Sequence, residues 1–82
     1  METKELITLL TNRKAEKARM GVVGFNKPLE NKDGDKVKSV GYMPENETLY
    51  VNIKFKNRRD YYWFNFEYLD SDTKELILNN VK

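Results

Sequence analysis

The sequence contains no cysteine and no histidine among its 82 residues. The lack of cysteine removes disulfides, thiolate nucleophiles and thiolate metal ligands, and a zinc site is disfavoured because imidazole ligands are missing as well. The lack of histidine removes the side chain that most often serves as a general base near neutral pH. This composition therefore predicts a protein that is not an enzyme and that binds no cofactor and no metal ion.

Long apolar runs are absent too. No window approaches the roughly 20 apolar residues of a membrane-spanning helix, and the N-terminus does not resemble a signal peptide. Together with the lack of cysteine, this predicts a cytoplasmic protein without a membrane partner. A chain of 82 residues can bury one small core, and no repeat or linker divides it. Residues 1–82 are therefore predicted to form a single domain.

The hydrophobic patterns predict an α+β fold with the order α-β-β-β-β-α. Residues 3–18 have an apolar helical face over their first two turns, after which Gly21 would end the helix. Asp72 and Glu75 have the spacing of a capping box at the start of a short closing helix. Short turns favour a four-stranded antiparallel meander, either open or curled towards a barrel. The predicted strands are 20–25, 36–43, 48–56 and 61–69.

Two short motifs suggest ligands but fit local structure better. Asn31, Asp33 and Asp35 have the spacing of a calcium loop, yet Gly34 lies between the two aspartates and no glutamate closes the loop. We therefore reject an EF-hand. Residues 21–24 match the spacing of a nucleic-acid-clamping G-x-x-G loop, but their apolar centre favours a strand.

The strongest signal is the aromatic stretch 61–68, which has six rings in eight residues. A strand period of two divides it into two faces. One face is predicted to be core: Tyr62, Phe64, Phe66 and Tyr68. The other carries Tyr61 and Trp63 and shares its side with the polar face of strand 48–56. The candidate binding residues on this side and in the adjoining hairpin are Tyr50, Lys54, Lys56, Arg58, Arg59, Tyr61 and Trp63.

Rings interleaved with cations are what single-stranded nucleic acid binds, because bases stack on rings and phosphates contact lysine and arginine. We therefore expect a binding protein that contacts nucleic acid or a partner protein through this basic, aromatic face and hairpin. Two structural alternatives stay open. The N-terminal helix could cover the face and make Trp63 a core residue, or the rings could reflect only the preference of tyrosine and tryptophan for strands.

A second functional hypothesis uses the acidic side chains. The chain resembles a phage- or mobile-element-encoded inhibitor in its small size and its lack of catalytic residues, and such a protein would bind a host defence or nucleic-acid-processing enzyme. The acids available for this are Glu45, Glu47, Asp60, Glu67, Asp70 and Asp72. A third hypothesis is a homodimer in which the aromatic face pairs with itself.

Short stretches of the chain resemble known families. Residues 37–42 (Val-Lys-Ser-Val-Gly-Tyr), 49–51 (Leu-Tyr-Val) and 62–64 (Tyr-Trp-Phe) together resemble the KTSC domain, over about residues 36–80. That family occurs alone and at the C-terminus of some lysyl-tRNA synthetases, so the resemblance implies an RNA-associated binding module. Residues 34–37 (Gly-Asp-Lys-Val), followed by a meander, also resemble SH3-like small barrels, which bind peptides or nucleic acid.

Overall fold

The structure is a computed structural model that describes residues 3–12 and 21–81. Its elements are α1 (Thr3–Asn12), β1 (Gly21–Glu30), β2 (Lys36–Met43), β3 (Thr48–Lys54), β4 (Tyr62–Asn65), a 3-10 helix (Phe66–Tyr68) and α2 (Ser71–Asn80). The strands form one antiparallel sheet in the order β1-β2-β3-β4. This confirms the predicted α+β class and the meander. The sheet is open, because β1 and β4 lie at opposite edges of it.

The element bounds differ from the predictions mainly at strand ends. The strand predicted at 36–43 is confirmed, and the one predicted at 48–56 ends at Lys54. The predicted helical residues 13–18 and the predicted strand start at Met20 lie outside the described residues. β1 continues to Glu30 through a register shift between Gly24 and Leu29. The bulge and Pro28 made this segment look like a loop, and both are features of edge strands.

Both helices pack on the same face of the sheet. α1 contributes Leu6 and Leu10 to the core, and α2 contributes Ile77, with Val81 directly after it. A fully buried leucine or isoleucine side chain stabilises the fold by about 1.5–3 kcal/mol. The strands and the 3-10 helix supply the rest of the buried hydrophobic cluster: Val23, Val37, Val40, Leu49, Val51, Ile53 and Phe66. In the described part of the chain, no helix is long and apolar enough to cross a membrane.

Gly21 lies where α1 passes close to β1. A Cβ atom at this position would collide with the backbone carbonyl of Leu10, so the close approach requires glycine. Gly21 is the first residue of β1, and the predicted end of the first helix directly before it lies outside the described residues. The missing side chain of Gly21 serves the contact between helix and strand.

The turn between β1 and β2 is organised by one asparagine. The Asn31 Oδ1 atom accepts the backbone N–H groups of Asp33 at 3.0 Å and Asp35 at 2.9 Å. Its Nδ2 atom donates to the Thr73 hydroxyl on α2 at 2.8 Å, and Asp35 accepts the backbone N–H of Lys56 at 2.8 Å. The spacing that resembles a calcium loop therefore serves a turn that is tied both to α2 and to the residues after β3.

Helix α2 is capped by Asp70, so the predicted cap at Asp72 is wrong. Asp70 has an extended backbone and its side chain accepts the N–H of Thr73 at 2.8 Å. Hydrogen bonds from the Thr73 side chain and backbone lower the pKa of Asp70 below its ordinary value. Asp72 lies inside the first turn and forms an exposed ion pair with Lys32 at 3.3 Å. The helix therefore begins earlier than an Asp72 cap allows.

The aromatic strand β4 is shorter than predicted. It ends at Asn65, whose side chain accepts the N–H of Glu67 at 2.9 Å and starts the 3-10 helix. Phe66 is buried as predicted, but Tyr68 is 87% exposed. The prediction of a core Tyr68 is wrong because the alternation of faces stops where the strand stops. Tyr62 is also not core, with 46% of its surface exposed.

Candidate functional site

The face of the sheet opposite the core is uncovered by α1 and α2, since both helices join the core cluster on the other side. We call this surface the open face. Its strand residues form three rows across the sheet, defined by the strand register. The first row is Val22, Gly41, Tyr50 and Asn65, the second is Gly24, Ser39, Asn52 and Trp63, and the third is Glu30, Lys36 and Lys54, with Lys38 and Tyr61 beside it.

Three rings stand on successive rows of the open face. Tyr50 pairs with Asn65, and Trp63 pairs with Asn52, so the two rings are diagonal neighbours on adjacent strands. Tyr61 precedes Trp63 by two residues, which is about 7 Å along a strand. Trp63 is 44% exposed. The N-terminal helix, as far as the structure describes it, therefore does not make Trp63 a core residue.

The Tyr50 ring is held in place by the turn before β3. The Asn46 Nδ2 atom donates to the Tyr50 hydroxyl at 3.0 Å, and Asn46 Oδ1 accepts the N–H of Thr48 at 3.2 Å. The same turn places Glu47 in the left-handed region, at φ 52. Asn46 is thus a positioning residue for one ring. This role was not predicted from the sequence. The signal that could have indicated it is an asparagine four residues before a tyrosine, with a turn between them.

The cations of the open face come mainly from β2, whose lysines were not among the predicted site residues. Lys36 and Lys54 are direct partners across β2 and β3. The side chain of Lys38, which lies in a bulge of β2, reaches across β3 and places its Nζ atom 5.6 Å from the centre of the Tyr61 ring. Glu30 is the strand partner of Lys36 on β1, but among the described residues none of these three lysines has a carboxylate oxygen within 4.0 Å. The like charges of Lys36 and Lys54 oppose each other across the strands.

The hairpin arginine Arg58 belongs to the other side of the sheet. Its guanidinium carbon lies 5.7 Å from the centre of the Phe64 ring, 5.8 Å from that of Phe55 and 5.8 Å from that of Tyr62. Tyr62 and Phe64 pair with the buried Ile53 and Val51, so these rings point away from Trp63. The basic hairpin and the aromatic face are therefore two surfaces.

The other two hairpin cations contribute little to the open face. Lys56 lies beyond the end of β3, and its Cδ atom approaches the position that a Cβ atom would take at Gly34, at 3.5 Å. Arg59 is exposed in the loop between β3 and β4. Of the seven site residues predicted from the sequence, the structure brings Tyr50, Lys54, Tyr61 and Trp63 together.

Two surface hollows of the described residues lie away from the three rings. One, of about 280 Å³, lies between the Asn31 turn and α2 and is lined by Glu30, Asp72 and Glu75 among others. Another, of about 360 Å³, lies at the bulge of β1. No group of three or more metal-ligating side chains is found in residues 3–12 and 21–81. Around the three rings, the described residues of the open face thus form no cleft.

Comparison with known proteins found no match among protein-family models, curated proteins or solved structures. The resemblances to the KTSC domain and to SH3-like barrels therefore stay predictions.

Proposed function

We propose that this protein is a non-enzymatic binding module that takes single-stranded nucleic acid on its open face. The observation that carries the proposal is the line of three rings, Tyr50, Trp63 and Tyr61, beside three lysines that have no carboxylate oxygen within 4.0 Å in the described structure. Rings of this kind stack bases, and each stacked base contributes about 1–3 kcal/mol to binding. Four-stranded sheets with exposed rings that stack two or three bases are a common architecture of RNA-binding domains.

The lysines supply the electrostatic part of this function. Lys36 and Lys54 face each other across two strands, and like charges in such positions reduce stability. A phosphate group between them would replace this repulsion by two attractive contacts. Lys38 already approaches Tyr61, so a base on that ring would bring its phosphate close to the same cations. The cationic row lies at one end of the line of rings, which favours a nucleic-acid strand that crosses the rows from ring to ring.

A single strand fits the surface better than a duplex. Aromatic rings can stack only on bases whose faces are accessible, and paired bases in a duplex are already stacked on each other. At the β1 end of the second row, Gly24 is exposed and a Cβ atom there would meet nothing within 4 Å, which leaves room for a base close to the backbone of β1.

The acidic-inhibitor hypothesis has less support, because half of its acids are engaged within the fold. Asp70 caps α2, Asp72 pairs with Lys32 at 3.3 Å, and Glu67 pairs with Lys74 at 3.9 Å. It stays a prediction, as do the homodimer and the cytoplasmic location. Replacing exposed acids such as Glu45 and Glu47 by lysine would abolish binding in that hypothesis and would leave nucleic-acid binding intact or strengthened.

Fluorescence titration tests the proposal directly, because Trp63 is the one tryptophan of the chain. Single-stranded RNA and DNA should quench its emission, with affinity that falls as salt rises and a logarithmic slope of about −0.7 for each phosphate contacted. Three contacting lysines thus predict a slope of about −2. Replacing Lys36 and Lys54 by glutamine should reduce the slope by about 1.4.

The matched control is Lys4→Gln, an exposed lysine on α1, which should leave the slope unchanged. No quenching by either nucleic acid at about 50 mM salt would contradict the proposal, since phosphate contacts are strong at low salt. An equal loss of slope in the Lys4 variant would show that the protein binds through its general charge and not through the open face.

A further inference from the structure

The middle row of the open face has polar side chains that the fold does not use. It runs Gly24, Ser39, Asn52 and Trp63 across the four strands. Three asparagines in the described residues are half-buried: Asn31, Asn52 and Asn65. Asn31 organises a turn and Asn65 starts the 3-10 helix. Of these three, only Asn52 makes no side-chain hydrogen bond with another described residue.

The position of Asn52 does not follow from strand preference. Asparagine is depleted in strands, where valine, isoleucine and threonine are favoured. The amide atoms of Asn52 are not sealed from water, because the described side chains include no fully buried polar atom without a partner. The carboxamide thus reaches the surface, and its donor and acceptor have no partner among residues 3–12 and 21–81. A half-buried side chain with hydrogen-bonding groups at the surface beside an exposed indole can bind a ligand edge.

We infer that Asn52, assisted by Ser39, recognises the edge of a base that packs against Trp63, and that this base is adenine. The inference rests on the proposed function and deepens it, because stacking alone tolerates every base. A carboxamide forms a bidentate pair with N6 and N7 of adenine, in which the amide oxygen accepts and the amide nitrogen donates. The hydroxyl of Ser39 can donate or accept at the same edge.

The register places these groups within reach of one base. Asn52 and Trp63 are direct partners on antiparallel strands, so their Cβ atoms are about 5 Å apart. Ser39 is the partner of Asn52 on the other side and is only 9% exposed. Beyond it, a Cβ atom at Gly24 would meet nothing within 4 Å. A base that stacks on the Trp63 indole therefore has the Asn52 carboxamide at its edge. Open space lies beyond Ser39, at Gly24.

Homopolymer binding tests this inference separately from the proposed function. Trp63 quenching is titrated with oligo-dA, oligo-dC and oligo-dT of about eight nucleotides, a usual site size for one small domain. The protein should prefer oligo-dA by about ten-fold, as one bidentate pair supplies. Asn52→Ala should reduce this preference to less than about two-fold while the affinity for the weakest homopolymer stays unchanged.

Asn57→Ala is the matched control, since Asn57 is exposed in the β3–β4 loop, and it should keep the preference. Asn52→Thr, with a side chain that suits strands, repeats the test if the alanine variant folds poorly. Equal affinity of the protein for all three homopolymers, or an unchanged preference in the Asn52 variants, would overturn the inference while nucleic-acid binding itself stands. Absence of quenching by every homopolymer would instead contradict the proposed function.

Discussion

The two faces of the sheet near β4 use the same residue types for different purposes. On the face towards the core, the Phe55 and Phe64 rings pack edge to face, with their centres 4.8 Å apart. The guanidinium group of Arg58 lies over both of these rings and over that of Tyr62. On the open face, the rings of Tyr50 and Trp63 have no aromatic partner among the described residues. In the first arrangement the rings and the guanidinium contact one another, whereas the second leaves ring surface of Trp63 exposed.

The cations of the two faces differ in the same way, except that Lys38 of the open face also lies over a ring, that of Tyr61, at 5.6 Å. Arg58 has three rings within 5.8 Å, and such contacts stabilise by about 0.5–1 kcal/mol at exposed sites. Lys36 and Lys54 are opposed on paired strands, where like charges repel. The location of a positive charge thus decides its role. A cation stacked on its own rings stabilises the fold, and a pair of opposed lysines gains most from an anion.

The largest expected effect is a loss of stability when a ring on the core face of the sheet is removed. Phe64→Ala should lower the free energy of unfolding by about 2–3 kcal/mol, because a partly buried ring that packs against the core and Phe55 is lost. Urea unfolding measures this. At temperatures where the variant stays folded, its affinity for single-stranded nucleic acid should equal that of the parent. A large loss of affinity in the folded variant would show that the two faces are not separate.

The next largest effect is a loss of nucleic-acid affinity when a ring on the open face is removed. Trp63→Ala should weaken single-stranded nucleic-acid binding by about ten-fold or more, since one stacking platform is lost. Anisotropy of a labelled oligonucleotide measures the affinity, because the variant has no tryptophan. The ring is 44% exposed, so the free energy of unfolding should change by less than about 1 kcal/mol. A variant that is destabilised by several kcal/mol with unchanged affinity would reverse the roles of the faces.

A smaller effect is expected from the arginine of the hairpin. Arg58→Gln should reduce stability by about 1 kcal/mol through the lost contacts with three rings. The salt dependence of nucleic-acid binding should not change, in contrast to the Lys36 and Lys54 variants. Arg59→Gln is the control for a loop charge that contacts no described ring. A salt slope reduced by about 0.7 in the Arg58 variant would instead make Arg58 a phosphate contact.

The smallest effect concerns pH and the anchor of α2. The lowered pKa of Asp70 means that its carboxylate stabilises the fold above the pKa of an unfolded aspartate. This contribution is lost as the pH falls through the folded-state pKa. Asp70→Ala should therefore cost about 1 kcal/mol at neutral pH, and the difference from the parent should shrink in acid. A difference that is constant from neutral to acidic pH would contradict a capping role.

Residues with strictly local signals were predictable. The alternation over residues 48–56 predicted β3, which the structure ends at Lys54, and the burial of Leu49, Val51 and Ile53 follows the alternation. The same period correctly divided Trp63 from Phe64. Predictions failed where a side chain ended or began an element, as Asn65 does for β4 and Asp70 does for α2. Several neighbouring polar side chains compete to cap the same backbone N–H groups. A pattern of apolar residues does not predict which of them forms the cap.

The sequence by itself determined the element types, their order and the two faces of the central hairpin, because period and turn residues act over a few residues of chain. Only the tertiary structure decided which face the helices cover and which cations join the rings. Lys36 and Lys38 lie far from Tyr61 in the chain and reach its side through strand pairing and a bulge. Arg58 is close to the aromatic strand in sequence and yet lies on the other face. Contacts of this kind depend on register and on side-chain packing across strands, and no single segment encodes them.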